Sequence, residues 1–136
     1  MTSIFTKIIN KEIPSAIIYE DEEYIAFLDI APMERGHTLV VPKKEFETIF
    51  DMSEKEFLEL QRVVFKIATH IQSTLNCGIN ICQNNYKIAG QDVPHVHFHI
   101  IPRREEKTIY NKDAHIQYED GEMEEFKNRL ELDRKD

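Results

Sequence analysis

Between Ser53 and Ser73, apolar residues return every three or four positions, at Phe57, Leu60, Val64, Ile67 and Ile71, in a segment otherwise rich in charged and polar residues. That is the helix period, so the segment predicts one long amphipathic helix whose stripe faces a core. Ser53 followed by Glu56 is a capping box that starts it. Elsewhere the period shortens to two. SAIIYEDEEYIAFLDI holds two β-branched and aromatic runs around an acidic turn, Asp21 to Glu23, and predicts a hairpin. GHTLVVP predicts a strand opened by Gly36 and closed by Pro42, because proline cannot continue the ladder of a central strand. GINICQNN alternates as a strand, YKIAGQDVP reads as a loop, and HVHFHII alternates again up to Pro102. A fainter helical pattern around Met123 to Leu132 predicts a short C-terminal helix. The sum is an α+β fold: an antiparallel sheet of about five strands packed against one long helix, in a single domain spanning 1–136.

Composition narrows what such a domain can do. The chain has 136 residues, 41% of them hydrophobic and 31% charged, which is enough to bury a core without metal or disulfide help. A formal net charge of -8 argues against nucleic acid and anionic membranes, since neutralising either needs surplus lysine and arginine. Small anionic ligands sense local charge and stay open. Cys77 and Cys82 lie five apart in a strand-like segment and so point to opposite faces, which disfavours a disulfide. The opening MTSIFTKIINKEIP is broken by lysines and supports neither a membrane span nor a secretory signal. The expectation is a reduced, cytoplasmic protein.

Three of the six histidines stand at every second position, His95, His97 and His99. A strand places them on one face and Val96, Phe98 and Ile100 on the other, with histidine Cα atoms roughly 6.6 Å apart. Three readings compete. The row can simply face solvent. It can bind metal, although the i+4 histidine lies roughly 13 Å along the strand and could not converge with the first on one ion. Or it can attack phosphorus, a neutral imidazole serving as nucleophile while its neighbours neutralise charge on the phosphoryl oxygens. His97 is central, and a protonated neighbour would depress its pKa by like-charge repulsion.

HVHFHII matches the His-φ-His-φ-His-φ-φ pattern of the histidine triad, or HIT, superfamily of nucleotide hydrolases and transferases, and the chain most resembles its bacterial Hint-like branch. The likeness extends over residues 4–103: IFTKIINKEIPSAIIYEDEEYIAFLDI resembles the family's amino-terminal hairpin, GHTLVVPKK its central strand, and NNYKIAGQDVPHVHFHIIPR its active-site loop and strand. The tail, 104–136, is not covered and reads as a charged surface tail or dimer-docking arm.

The resemblance implies a HIT-like fold, a homodimer, no cofactor and a purine nucleotide substrate. It makes His97 the nucleophile that takes the nucleoside monophosphate, with water then hydrolysing the nucleotidyl-histidine; two inversions give net retention at phosphorus. His99 would bond a phosphate oxygen or the leaving atom, and His37 would support the triad from the adjacent strand. The carbonyl of His95 would hold the other nitrogen of His97 as a donor. Asp29, with Ile30 beside it, matches the ribose-binding position, while Asn84, Gly90 and Gln91 match the phosphate-side loop. The implied reaction is hydrolysis of purine nucleoside 5′-phosphoramidates or related conjugates. Hydrolysis of dinucleoside polyphosphates is the alternative, and a non-catalytic nucleotide-binding regulator is a further one. Two departures matter. Some bacterial relatives hold zinc with an amino-terminal Cys-x-x-Cys, a histidine after the PKK stretch and the first triad histidine; here those positions are Ser3, Thr6, Glu45 and His95, so no metal is expected. Where relatives often place serine or threonine after Gly-Gln, this chain has Asp92, beside the expected leaving group.

Overall fold

The computed structural model describes residues 2–105 and 115–133. Five strands, β1 (Ile17–Glu20), β2 (Tyr24–Leu28), β3 (Thr38–Pro42), β4 (Gly78–Gln83) and β5 (Phe98–Arg103), form one antiparallel sheet in the order β1-β2-β3-β5-β4. The acidic turn of the first hairpin is closed by Asp21, whose carboxylate accepts the N–H groups of Glu23 and Tyr24. The structure therefore has the α+β architecture that the hydrophobic pattern predicts.

Helix α2 (Glu54–Leu75) begins at Ser53 with both bonds of the capping box formed, and ends at Asn76 in the left-handed conformation. Leu60, Val64, Ile67 and Ile71 of its stripe are buried and Phe57 packs at their margin. They meet Ala26, Leu28, Val40, Phe98 and Ile100 on one face of the sheet. The opposite face is not left to solvent. A six-residue helix, α1 (Ile4–Ile9), which the sequence pattern did not reveal, packs Phe5 and Ile8 against Ile25, Phe27, Leu39 and Val41 there. Covered on both sides, β2 and β3 are buried at every residue.

β5 differs from expectation at both ends. It starts at Phe98, so His95 and His97 lie in the segment leading into it, and it continues through Pro102 to Arg103. The β3 pairing ends at Ile100, beyond which β5 has only β4 as a neighbour. A residue without an N–H is tolerated on such a one-sided stretch.

The described part of the tail is not a loose surface arm. From His115 onward it returns to the body: Ile116 N–H donates to the Pro32 carbonyl, and Leu132 N–H to that of Ile18. Helix α3 (Glu122–Leu130) buries Phe126 and Leu130 in the same core as α2. Leu130 also approaches Gly36, which sits at φ +92 just before β3. A Cβ at Gly36 would come within 3.2 Å of both Leu75 and Pro102, so the turn that delivers His37 requires glycine. Residues 106–114 and 134–136, also assigned to the tail, lie outside the described residues. Among the described residues, no helix is long and apolar enough to cross a membrane.

Candidate active site

His99 stands on β5 opposite Leu39 of β3, on the face covered by α1. His97 and His95 precede it along the segment entering β5, and His37 immediately precedes β3. All four imidazoles are buried, His97 being 4% exposed. The rings of His97 and His99 meet edge to face at 5.0 Å.

Backbone groups decide which nitrogen of each ring carries the proton, because an amide N–H only donates and a carbonyl only accepts. Nδ1 of His37 accepts the Met33 N–H at 3.0 Å, so its proton is on Nε2. That Nε2–H then donates to Nδ1 of His99, 2.9 Å away, which leaves the His99 proton on Nε2. Nδ1 of His97 lies 2.8 Å from the His95 carbonyl and must be protonated, leaving the lone pair of His97 on Nε2. His95 in turn donates from Nε2 to the Pro42 carbonyl at 2.8 Å. The row therefore presents an unprotonated nitrogen on His97 beside an N–H donor on His99, an arrangement suited to attack on an electrophile whose oxygens need hydrogen bonds.

Electrostatics keep the rings neutral. Burial, with neighbouring histidines adding to it, holds the pKa of His37 down at about 3 and that of His99 at about 4. His95 and His97 are also lowered, burial again the largest cause. Like-charge repulsion, the mechanism anticipated from the row itself, is the smallest contribution at His97; desolvation is what favours the neutral ring.

Around the row, the other sequence-derived candidates take different parts. One oxygen of Asp29 accepts the Ala31 N–H at 2.9 Å, and the other lies 3.7 Å from Nε2 of His37. Burial raises its pKa. Asp29 is thus both the turn residue and a carboxylate at the row. Ile30, 78% exposed, presents an open apolar side chain next to it. Gly90, at φ +93, closes a turn of 3-10 helix, Lys87–Ala89, and lies against the Asn84 side chain. Gln91 behaves differently from the phosphate-side role expected of it. Its side chain is buried, accepts from Tyr86 N–H at 2.7 Å and donates to the Glu47 carbonyl at 2.6 Å, so its amide braces the loop from inside. Asp92 is exposed and lines a groove of about 580 Å³ with Ser3, Glu45, Glu47 and Pro94. Its charge acts on both His97 and His99.

Residues 10–106 match the family model of the HIT domain. The chain belongs to the HIT family. It is 51% identical over 102 residues to an uncharacterised HIT-like protein of Methanocaldococcus jannaschii, covering 75% of this chain and 79% of that one. It is 39% identical over 107 residues to the adenosine 5′-monophosphoramidase of Schizosaccharomyces pombe, covering 79% and 78%. A zinc-bound histidine triad family protein from Mycobacterium smegmatis superposes with a TM-score of 0.80 at 34% identity, over 96% of this chain and 91% of the other.

Two groups of residues in this HIT chain can be tested for a metal. Asp29, His37 and His99 bring ligand atoms within 4.8 Å of one another. The 2.9 Å between His37 Nε2 and His99 Nδ1 is a hydrogen-bond distance, shorter than the roughly 3.4 Å between two nitrogens on one tetrahedral zinc. The arrangement is a hydrogen-bonded chain. At the second group, Ser3 and Thr6 supply hydroxyls where zinc favours thiolate or imidazole. Those hydroxyls are already engaged, Ser3 Oγ with His95 Nδ1 at 2.6 Å and Thr6 Oγ1 with Glu45 at 2.6 Å. This donor set does not fit zinc.

Two regions outside the HIT motif also reach the row. Ser3 and Phe5 of α1 touch the row directly, Phe5 packing edge-on against His97 at 5.0 Å and His95 at 5.7 Å. Ser3 followed by an apolar run is an N-cap signal that could have located α1. From the tail, Tyr118 accepts the Gly36 N–H at 2.8 Å beside His37, and His115 lies near enough to Asp29 and His37 to act electrostatically on both. No local pattern in a charged segment marks that return.

Proposed function

We propose that the chain is a nucleotide hydrolase acting on purine nucleoside 5′-phosphoramidates or related conjugates, through a nucleotidyl intermediate on His97. The observation that carries this reading is the 2.8 Å contact between His97 Nδ1 and the His95 carbonyl, which keeps the Nε2 lone pair free. The phosphoramidase named among its relatives supports the substrate class. Nε2 attacks phosphorus, forming a P–N bond as the bond to the leaving amine breaks, and the Nε2–H of His99 bonds a phosphoryl oxygen or the leaving atom. Water then attacks phosphorus and the bond to His97 breaks, restoring the neutral ring. The departing nitrogen takes a proton from solvent in the first step and the attacking water returns one to solvent in the second, so that one water is consumed overall, its hydroxyl ending on the monophosphate. Asp29 and Ile30 hold the nucleoside, and Asn84, Gly90 and Asp92 border the phosphate and leaving group. Single-turnover quench of adenosine 5′-phosphoramidate labelled in the nucleotide should trap an acid-labile adduct on His97. Turnover with no adduct at any time would exclude the covalent route.

Hydrolysis of dinucleoside polyphosphates by the same nucleophile is the second reading. Its support is a pair of exposed rings stacked at 6.2 Å, Tyr86 on the loop that runs to Gly90 and Phe50 on the 3-10 turn Ile49–Asp51 ahead of α2, where a second base could lie. A regulator that binds without turnover has no need of a nucleophile held in one tautomer. For assembly we propose a homodimer: β4 is an edge strand, and Ile81 on it and Phe65 on α2 are 50% and 74% exposed. Light scattering at micromolar concentration should report two chains. Cys77 and Cys82 are free thiols, in keeping with a reducing, cytoplasmic setting.

A further inference from the structure

The clamp on His95 is asymmetric. On one side its Nε2–H reaches the Pro42 carbonyl, a backbone acceptor. On the other, Nδ1 must accept, and the group that donates to it is the Ser3 hydroxyl at 2.6 Å. The same Ser3 oxygen accepts the Thr6 N–H at 3.1 Å and so caps α1. Ser3 N–H donates to Glu45 Oε1 at 2.8 Å, and the Thr6 hydroxyl donates to that same oxygen. The start of α1 is thus tied to the β3 end of the sheet by one carboxylate and to the histidine row by one hydroxyl. Behind that tie, Phe5 is pressed between Phe27, His95 and His97.

We propose that Ser3 is a positioning residue for His97, acting through His95, with α1 as the element that carries it and Glu45 as its anchor. Ser3 does not touch the attacking nitrogen. It holds the His95 ring in one tautomer and one orientation, and the carbonyl of that same residue holds the His97 Nδ1 proton. Because His95 is fully buried, no solvent can replace the hydroxyl at Nδ1 without disturbing the packing. A His95 ring released from Ser3 can turn or change tautomer, and the carbonyl beside it then samples geometries in which the His97 proton moves to Nε2. That tautomer cannot attack. Phe5 works to the same end, since a docked α1 leaves the His97 ring no room to rotate.

The inference rests on the proposed nucleophilic role of His97, and its test is chosen to be separable from that role. Ser3→Gly removes the hydroxyl while glycine still serves as an N-cap, and Ser3→Thr restores the hydroxyl. With ¹⁵N-labelled histidine, the parent should show His97 protonated at Nδ1 and His95 at Nε2. In Ser3→Gly the His95 Nδ1 resonance should shift and His97 should become a mixture of tautomers, with the parent spectrum returning in Ser3→Thr. In parallel, kcat for adenosine 5′-phosphoramidate should fall roughly tenfold with KM within about twofold, and recover in Ser3→Thr, because orientation acts on the chemical step. Unchanged histidine resonances in a folded Ser3→Gly protein overturn the proposal, as does a change confined to KM. If the parent turns over no phosphoramidate, the reaction assignment fails alone and the nitrogen spectra still decide the role of Ser3. Should Ser3→Gly not fold, Glu45→Gln loosens the same anchor while keeping the hydroxyl, and an unaltered His95 and His97 tautomer pair in that variant would also count against it.

Discussion

Nε2 of His37 lies 2.9 Å from Nδ1 of His99, and the proton between them belongs to His37 because the Met33 N–H occupies its other nitrogen. Two buried neutral rings joined in this way make stability depend on pH. Both have folded pKa values below the ordinary 6.5, at about 3 and about 4. Above pH 6.5 neither the folded nor the unfolded chain protonates them, and their contribution is fully present. As pH falls, the unfolded chain takes up protons that the folded chain refuses, so stability is lost from about pH 6.5 down to about pH 4 for His99 and on to about pH 3 for His37. Each ring contributes a slope approaching about 1.4 kcal/mol per pH unit. Denaturant midpoints measured between pH 6.5 and 5, above the range where ordinary carboxylates titrate, should fall in the parent and fall less in His37→Asn. Equal slopes in the two proteins would mean the pair is not held neutral.

His97→Ala should abolish turnover and leave nucleotide affinity within roughly tenfold, since the imidazole is required for bond formation and supplies only part of the ground-state contacts. Affinity is read by calorimetry with adenosine monophosphate, and turnover by release of the amine. Appreciable turnover in the variant would sink the assignment of His97.

Asp29→Ala should weaken adenosine monophosphate more than its 2′,3′-dideoxy analogue, because only the former offers hydroxyls to the carboxylate. The loss for the hydroxylated ligand should be about ten- to a hundredfold, as for one hydrogen bond to a charged group. An equal loss with both ligands would assign Asp29 solely to the turn, where its other oxygen holds the Ala31 N–H.

Untagged protein should carry no stoichiometric zinc, and chelator should change neither melting temperature nor kcat. The reason is the donor set: the hydroxyls of Ser3 and Thr6 are bonded to His95 and Glu45, so the linkage that a metal would supply is made by hydrogen bonds. One tightly held zinc per chain would contradict it.

What could be read from the chain in advance follows from how local the cause is. The α2 helix was legible because its capping box and stripe are local, and the histidine row because its period is two. The His97 tautomer followed from the family resemblance through the His95 carbonyl two residues away, whereas that of His95 was not legible, because the Pro42 carbonyl that fixes it is 53 residues away, nor that of His37, which depends on the turn that brings the Met33 N–H to its ring. Helix α1 escaped because six residues have little intrinsic helicity; docking of Phe5 and Ile8 stabilises it. The tail misled for a related reason. Phe126 and Leu130 lie one turn apart among charged residues, and such a face reads as solvated until the α2 core that receives it is known.

Asp92 bears on the choice of leaving group. It follows Gly90 and Gln91 where relatives often present a hydroxyl, it is exposed in the groove bounded by Ser3, Glu45 and Glu47, and its charge reaches both His97 and His99. A departing polyphosphate would meet this carboxylate, and those of Glu45 and Glu47 behind it, with repulsion. A departing amine that also carries a cationic group, such as a lysine conjugate, would meet attraction. Partial exposure screens both effects, which leaves a preference of roughly tenfold toward cationic amines rather than an absolute barrier. The measurement is kcat/KM for adenylyl-lysine and for a diadenosine polyphosphate in the parent and in Asp92→Ser. The serine variant should gain on the polyphosphate relative to the conjugate, and the gain should shrink as salt is raised because the effect is electrostatic. If the ratio between the two substrates is the same in both proteins, Asp92 takes no part in selecting the leaving group.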